Sequence, residues 1–120
     1  MGDLTANLSR HEFACKCGCG FDTLDIETAW VIQDVCDHFQ TTVLITSGCR
    51  CEVHNKKVGG AEMSKHLEGR AGDCKFAKVT PEGVHDYLIK KYKDRFGFGC
   101  YPTFNHIDTR SGAPWRQDPK

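Results

Sequence analysis

The chain has 120 residues, in which 16 Lys and Arg balance 16 Asp and Glu, with six His and eight Cys. This length suits a single domain over residues 1–120 and leaves no room for a second hydrophobic core. The formal net charge is zero, so the chain lacks the excess of positive charge that is typical of nucleic-acid-binding proteins. No apolar run of about 18 residues exists to span a membrane. The first ten residues lack the charged-then-apolar profile of a secretory signal, so we expect synthesis in the cytoplasm.

Residues 1–24 are predicted to form an irregular, cysteine-rich arm. Cys15, Cys17 and Cys19 are two residues apart, and cysteines so spaced are poorly placed to form disulfides with each other. Thiolates this close together can instead share a structural zinc ion, with Cys51, Cys49 or another thiol as the fourth ligand. The identity of the fourth ligand stays open at this point, and free or oxidised cysteines are the alternative.

The next part of the chain carries helix and strand signals in turn. Apolar residues at helical spacing predict a helix over residues 25–39, with Cys36 on its buried stripe. The β-branched, apolar run 41–46 predicts a buried strand. A short helix is expected over residues 50–57.

The second half of the chain repeats this pattern. Residues 71–76 are predicted to form a second strand. Thr80 and Pro81 are typical of a helix start, and this helix is expected to run to about Phe96. One or two closing strands are expected within residues 99–109. The order helix, strand, strand, helix, strand indicates an α+β fold with a small, mainly antiparallel sheet and flanking helices.

Three dispersed residues match the donor set of a hydrolytic zinc site, in which two imidazoles and one carboxylate leave a fourth position for water. His66 precedes the strand that carries Asp73, and His106 lies on the last predicted strand, so the three side chains could converge. Spacing alone leaves open the ordinary alternative of surface histidines and a solvated aspartate. His85 is expected to be solvated, and Trp115 is expected either to pack over the sheet, the more frequent role of Trp, or to form part of a substrate groove.

The motifs of the chain, taken together, resemble one known family. The matching residues are Ser47-Gly-x-Arg50, Asn55, Gly59-Gly60, Ser64-x-His66-x-x-Gly69-Arg70-Ala71-x-Asp73 and His106-x-Asp108. In this order they resemble the zinc D-Ala-D-Ala carboxypeptidase and phage endolysin family, which shares its fold with the Hedgehog signalling domain. The cysteine-rich arm and the Tyr101-Pro-x-Phe104 segment resemble a short, single-domain branch of that family.

The resemblance implies that His66, Asp73 and His106 bind one catalytic zinc ion, which activates water for peptide hydrolysis. It also implies that Arg50 meets the substrate, where a guanidinium fork can hold a carboxylate or stabilise an oxyanion. A surface ion pair is the alternative role for Arg50. Ser64 either binds substrate or shapes the turn before the first ligand.

The chain departs from the family's pattern at the general base. Many members carry Glu or Asp three residues before the last histidine ligand, and Thr103 stands there in this chain. Asp108 is the nearest carboxylate, and because residues i and i+2 of a strand face the same side, it is predicted to point where His106 points. Two roles stay open for Asp108: a catalytic base, or a residue that orients a ligand imidazole or Arg110.

These inferences predict a zinc metallopeptidase that hydrolyses stem or cross-bridge peptides of bacterial peptidoglycan, as a D-Ala-D-Ala carboxypeptidase or an endopeptidase. We expect a monomer that meets those peptides after release from the cell, as a phage or prophage lysis enzyme or a tail enzyme does. One alternative is a catalytically inactive, zinc-containing binding module of the same fold. Another is a thiol-based metal sensor built on the cysteine-rich arm.

Overall fold

Helices and strands alternate along the chain in the computed structural model, which describes residues 2–119. Within that range the α-helices are α1 (Ile26–Phe39), α2 (Glu52–Lys57) and α3 (Pro81–Lys91). The strands are β1 (Val43–Ser47), β2 (Ala71–Phe76), β3 (Gly97–Cys100), β4 (Asn105–Asp108) and β5 (Trp115–Gln117). Two 3₁₀ turns cover Arg10–Phe13 and Lys65–Glu68.

The five strands form one sheet in the order β1-β2-β4-β3-β5. The first three pairings are antiparallel, and only β5 runs parallel to its neighbour, β3. The α+β prediction with a small, mainly antiparallel sheet is therefore confirmed. Strand β5 was not predicted, because a segment of three residues carries no readable period of two.

Strand β1 lies at an edge of the sheet and is not the buried strand that its composition predicts. It pairs with β2 alone. Ile45 packs into the core at 4 % exposure, whereas Leu44, on the opposite face, is 61 % exposed. A run of β-branched residues indicates a strand with one buried face. It does not indicate how many strands pair with that strand.

The helices α1 and α3 pack on one face of the sheet. The Asp25 side chain caps α1 by accepting a hydrogen bond from the Glu27 backbone N–H. Thr80 caps α3, as predicted, by accepting from the Gly83 backbone N–H. The predicted end of α3 near Phe96 is wrong, since the helix ends at Lys91 and the chain then turns into β3.

The hydrophobic core lies between these helices, the sheet and the N-terminal arm. Leu8 and Phe13 of the arm are both fully buried, so the arm belongs to the core although its backbone is irregular outside the 3₁₀ turn. His85 is 1 % exposed, which contradicts its expected solvated position on α3. No helix in the described part of the chain is long and apolar enough to cross a membrane.

Candidate metal centre

The structure brings His66, Asp73 and His106 together on the face of the sheet opposite α1 and α3. Asp73 on β2 pairs directly with His106 on β4 in the antiparallel ladder, and His66 reaches them from the 3₁₀ turn before β2. The Asp73 Oδ1 atom lies 3.3 Å from His66 Nε2 and 3.2 Å from His106 Nδ1. One ligating atom from each residue lies within 4.8 Å of the other two, so these three residues, the histidine centre, could hold one metal ion.

In each imidazole of the histidine centre, the ring nitrogen that points away from Asp73 has a hydrogen-bond partner. The Nδ1 atom of His66 lies 2.6 Å from the carbonyl oxygen of Gly48, so Nδ1–H donates there and Nε2 faces the centre. The Nε2 atom of His106 lies 2.7 Å from Asp108 Oδ2, which leaves Nδ1 toward Asp73. Partners of this kind fix the tautomer and the ring orientation of metal ligands.

The charges at the histidine centre favour a bound cation. Burial would raise the pKa of Asp73, but hydrogen bonds and charges from His106 and His66 outweigh it and hold that pKa far below its ordinary value of 3.8. Burial would likewise lower the pKa of His106, yet the carboxylates of Asp108 and Asp73 raise it above 6.5. Two ionised carboxylates therefore face the His106 ring, and they stabilise positive charge on or beside it.

Asp108 is completely buried behind His106. Its carboxylate accepts two hydrogen bonds from the Arg110 guanidinium, Nε to Oδ1 at 2.9 Å and Nη2 to Oδ2 at 2.7 Å. Burial would raise the pKa of Asp108, but Arg110 and His106 hold it far below the ordinary value. On β3 the cross-strand partner of Asp108 is Gly97, where a Cβ would collide with the carboxylate as it is placed. Glycine at position 97 therefore leaves the room that this carboxylate occupies.

Arg50 extends along the rim of the histidine centre and is only 14 % exposed, so it does not form an ordinary surface ion pair. Its Nε donates to Ser47 Oγ at 3.1 Å, and Nη1 donates to Asn55 Oδ1 at 3.1 Å. Its Nη2 lies 3.4 Å from Asp73 Oδ2. Asn55, whose role was not assigned from the sequence, is buried and holds the guanidinium in place.

A cavity of about 390 Å³ opens onto the histidine centre. The Tyr101 and Phe104 rings stack at 4.7 Å between centroids and form one wall. Trp115 forms another, with its ring edge-on to His106 at 5.5 Å, so it lines the cavity as well as packing over the sheet. Ser64 also lines the cavity, and its Oγ accepts from the His66 backbone N–H at 3.2 Å, so it shapes the turn before the first ligand.

This arrangement agrees with the comparison to known protein families. The sequence model of the family described as Peptidase M15 matches residues 6–108. The chain belongs to the peptidase M15 family. No curated protein matches the sequence. M15 peptidases are metal-dependent and typically use zinc, and the resemblance drawn from the motifs, together with its fold, is thereby confirmed.

The donor set of this member of the peptidase M15 family fits zinc. Two imidazole nitrogens and one carboxylate oxygen form an accepted three-ligand set for a hydrolytic zinc ion. The second nitrogen of each imidazole is already bonded to a carbonyl or a carboxylate, as zinc-binding histidines require. His66, Asp73 and His106 are therefore the residues that would hold the ion.

The position that carries an acid in many M15 peptidases holds Thr103, which is exposed in the turn before β4. Among the residues that line the cavity in the described range 2–119, Asp73 is the only Asp or Glu. The cavity thus offers no carboxylate besides a predicted metal ligand.

A second group of metal-binding side chains lies in the N-terminal arm and at the start of α2. The sulfur atoms of Cys15, Cys17, Cys19 and Cys51 lie within 4.8 Å of one another. The three alternating cysteines of the predicted structural zinc site are thus joined by Cys51, one of the candidates for its fourth ligand. We call them the cysteine cluster.

Proposed function

We propose that this M15 peptidase hydrolyses peptides of bacterial peptidoglycan, by removing a terminal D-alanine or by cutting within the stem or cross-bridge. The observation that carries the proposal is a three-ligand centre open to a cavity, with the Arg50 fork at its rim. Structural zinc sites use four protein ligands, whereas hydrolytic sites keep one position for water and substrate. When bound here, zinc would supply Lewis-acid activation of water and of the peptide carbonyl.

The charge of the cavity supports a substrate with carboxylates. Arg50, Lys65 and Arg110 line it together with a single acid, Asp73, and the acids that pair with Lys65 and Arg110, Glu68 and Asp108, do not line the cavity. Stem peptides of peptidoglycan end in a carboxylate and carry others along their length. A guanidinium fork binds a carboxylate through two parallel hydrogen bonds, or it stabilises the oxyanion that develops on a scissile carbonyl. We assign this role to Arg50, which Ser47 and Asn55 hold in one orientation.

The walls of the cavity position the peptide. The stacked rings of Tyr101 and Phe104, and the indole of Trp115, offer flat apolar surfaces against which a peptide backbone can lie.

Asp108 has no exposed surface, and both of its carboxylate oxygen atoms already take part in hydrogen bonds. We therefore assign Asp108 to positioning the His106 ring, and we do not assign it to proton abstraction. The place of action, the cell wall after release from the cell, follows from this substrate class.

Digestion of purified peptidoglycan by the zinc-loaded chain, followed by mass spectrometry of the products, tests the proposal. A carboxypeptidase releases free D-alanine, and an endopeptidase generates new amino groups within the stem or the cross-bridge. The His66→Ala variant is the control and is expected to release neither product. Intact peptidoglycan after treatment with zinc-loaded wild-type protein would contradict the proposal.

The absence of a free acid on the cavity favours one second candidate, a zinc-containing module that binds peptidoglycan without cutting it. Among the described residues, the cavity holds no Asp or Glu other than Asp73. In that case the zinc-loaded chain would co-sediment with purified peptidoglycan and release no product. Co-sedimentation would depend on Arg50, because the fork would still bind a carboxylate.

A further inference from the structure

We propose that Cys15, Cys17, Cys19 and Cys51 bind a structural zinc ion, which fastens the N-terminal arm to the segment that carries Arg50. This site lies outside the histidine centre and does not depend on the proposed hydrolysis. The inference follows from sulfur geometry, from the backbone around the sulfurs and from the position of Cys51 in the fold.

The spacing of the sulfur atoms matches a tetrahedral thiolate site. With zinc–sulfur bonds of about 2.3 Å, neighbouring sulfurs in a regular tetrahedron lie about 3.8 Å apart. The Sγ atom of Cys15 lies 3.5 Å from that of Cys17 and 3.9 Å from that of Cys51, and the Cys17 and Cys51 sulfurs are 3.6 Å apart. Cys19 completes the group within 4.8 Å. Each of these separations far exceeds a disulfide bond, which is about 2.0 Å long.

The backbone around the cluster is arranged to support negatively charged sulfur. The Cys51 backbone N–H points at Cys15 Sγ, with 3.5 Å between nitrogen and sulfur, and the His54 backbone N–H points at Cys51 Sγ at 3.4 Å. Hydrogen bonds of this kind stabilise a thiolate more than a thiol. Gly18 and Gly20 have φ values of +81° and +92°, so the tight loop that turns the alternating cysteines toward one point needs glycine there.

The cluster joins two distant parts of the chain beside the histidine centre. Cys51 caps α2 and directly follows Arg50. The Cys49 backbone N–H donates to the Phe13 carbonyl at 2.8 Å, and the Arg50 backbone N–H donates to the His66 carbonyl at 3.0 Å. A metal ion on the cysteine cluster would therefore fix the Cys51 end of a short segment whose Cys49 end is already bonded to Phe13, and the Arg50 side chain projects from between them.

The solvent exposure of the cluster argues that an ion, and not packing, holds it together. Cys17 and Cys19 are exposed, so burial of their side chains contributes little that would order the loop. Small loops of this kind are commonly ordered by a metal ion.

The test is a zinc count on the full chain, purified with a reductant, loaded with zinc chloride and freed of excess metal. We expect about two zinc ions per wild-type chain, since the cysteine cluster and the histidine centre would hold one each. The double variant Cys17→Ser/Cys19→Ser, which removes two exposed thiols, is expected to hold about one. The double variant His66→Ala/His106→Ala is also expected to hold about one, because it leaves the cysteine cluster intact. Cys36→Ala, which removes a buried thiol outside the cluster, is the matched control and is expected to keep both.

Cobalt loading identifies the ligands of each ion. Wild type and His66→Ala/His106→Ala are expected to show the intense near-ultraviolet absorption of cobalt bound to thiolate, and Cys17→Ser/Cys19→Ser is expected to lack it. The same cysteine variant is expected to melt at least about 5 °C below wild type, whereas two exposed free thiols could be replaced with almost no change. The proposal would be overturned if the wild-type chain lacked the cobalt–thiolate band. It would also be overturned if Cys17→Ser/Cys19→Ser bound as much zinc as wild type. Failure of peptidoglycan hydrolysis would leave these readouts unchanged.

Discussion

The histidine centre and the cysteine cluster both gather metal-binding side chains from distant parts of the chain, but they are built differently. The histidine centre offers three ligands beside a cavity of about 390 Å³, and a carbonyl and a carboxylate lie behind its imidazoles. The cysteine cluster offers four sulfur ligands, two of them on exposed residues. Three ligands leave a metal position for chemistry, whereas four thiolates close the shell.

Ligand number and surroundings therefore separate a reactive site from a structural one more clearly than ligand proximity does. In both groups the candidate ligand atoms lie within 4.8 Å of one another. Only the histidine centre adds a guanidinium fork at its rim and aromatic walls around a cavity.

The largest effect is expected from the loss of a ligand at the histidine centre. His66→Ala removes one of three ligands, so we expect peptidoglycan hydrolysis to fall to the background of the buffer. The cobalt–thiolate absorption of the cysteine cluster is expected to persist in the same variant. Full activity in zinc-loaded His66→Ala would show that the histidine centre is not the reactive site.

Arg50→Lys is expected to lower kcat/KM by about 10²-fold, because lysine cannot reproduce the bidentate fork that an oxyanion or a carboxylate requires. Its zinc content is expected to stay at the wild-type level, since Arg50 is not a ligand. Steady-state kinetics on a peptide that ends in D-Ala-D-Ala measure the change. Arg95→Lys, at a surface ion pair with Glu27, is the matched control and is expected to leave kcat/KM unchanged.

Asp108→Asn separates positioning from proton abstraction. The variant weakens the contact behind His106, so we expect zinc affinity of the histidine centre to fall about 10- to 100-fold. Saturating zinc is expected to restore most of kcat. A large fall in kcat at full zinc occupancy would instead assign Asp108 to proton transfer. That result would contradict the role inferred from its buried carboxylate, which accepts two hydrogen bonds from Arg110.

A polar group on the helical side of the sheet serves as a reference that involves no metal. Asp34 on α1 accepts hydrogen bonds from Tyr87 and Tyr92 at 2.8 and 2.6 Å and pairs with Lys91 at 2.8 Å. Asp34→Asn is expected to lower the free energy of unfolding at neutral pH by about 1 kcal/mol. Zinc content is expected to be unchanged.

The pH dependence of that loss follows from the pKa of Asp34. Burial would raise this pKa, but hydrogen bonds from Lys91, Tyr92 and Tyr87 lower it below 3.8. The stabilisation is thus fully present above the ordinary pKa and is lost as the pH falls through the lowered one. Denaturant unfolding should give a constant difference between wild type and variant near neutral pH and a shrinking one in acid. A difference that grows in acid would contradict this sign.

The features of the molecule that the sequence predicts are those with a local or motif-level signal. The three candidate ligands are implied by the family resemblance of the motifs, and the strands that carry Asp73 and His106 are readable from composition, so the proximity of these residues was predictable. The carbonyl of Gly48 behind His66 was not, because a backbone contact 18 residues away leaves no side-chain pattern. Gly97 opposite Asp108 was not either, since its role depends on a strand pairing.

Other errors arise where tertiary contacts override local preference. The helix that starts at Pro81 ends at Lys91 because the following residues turn to reach β3, although their composition suits a longer helix. Strand β1 lies at an edge of the sheet, and its apolar composition does not indicate how many strands pair with it. His85 is buried near Asp118, with 3.5 Å between Nε2 and Oδ1, and nothing in its own helix indicates that distant partner.

Hydrolysis of peptidoglycan, measured while zinc is titrated into the metal-free chain, tests whether the histidine centre is a hydrolytic site. If four thiolates bind zinc more tightly than the three-ligand set, the first equivalent fills the cysteine cluster and yields no activity. Products then appear as the second equivalent fills the histidine centre, and His66→Ala yields none at any zinc level. A chain that releases no product after both groups are filled would contradict the claim that the histidine centre is a hydrolytic site.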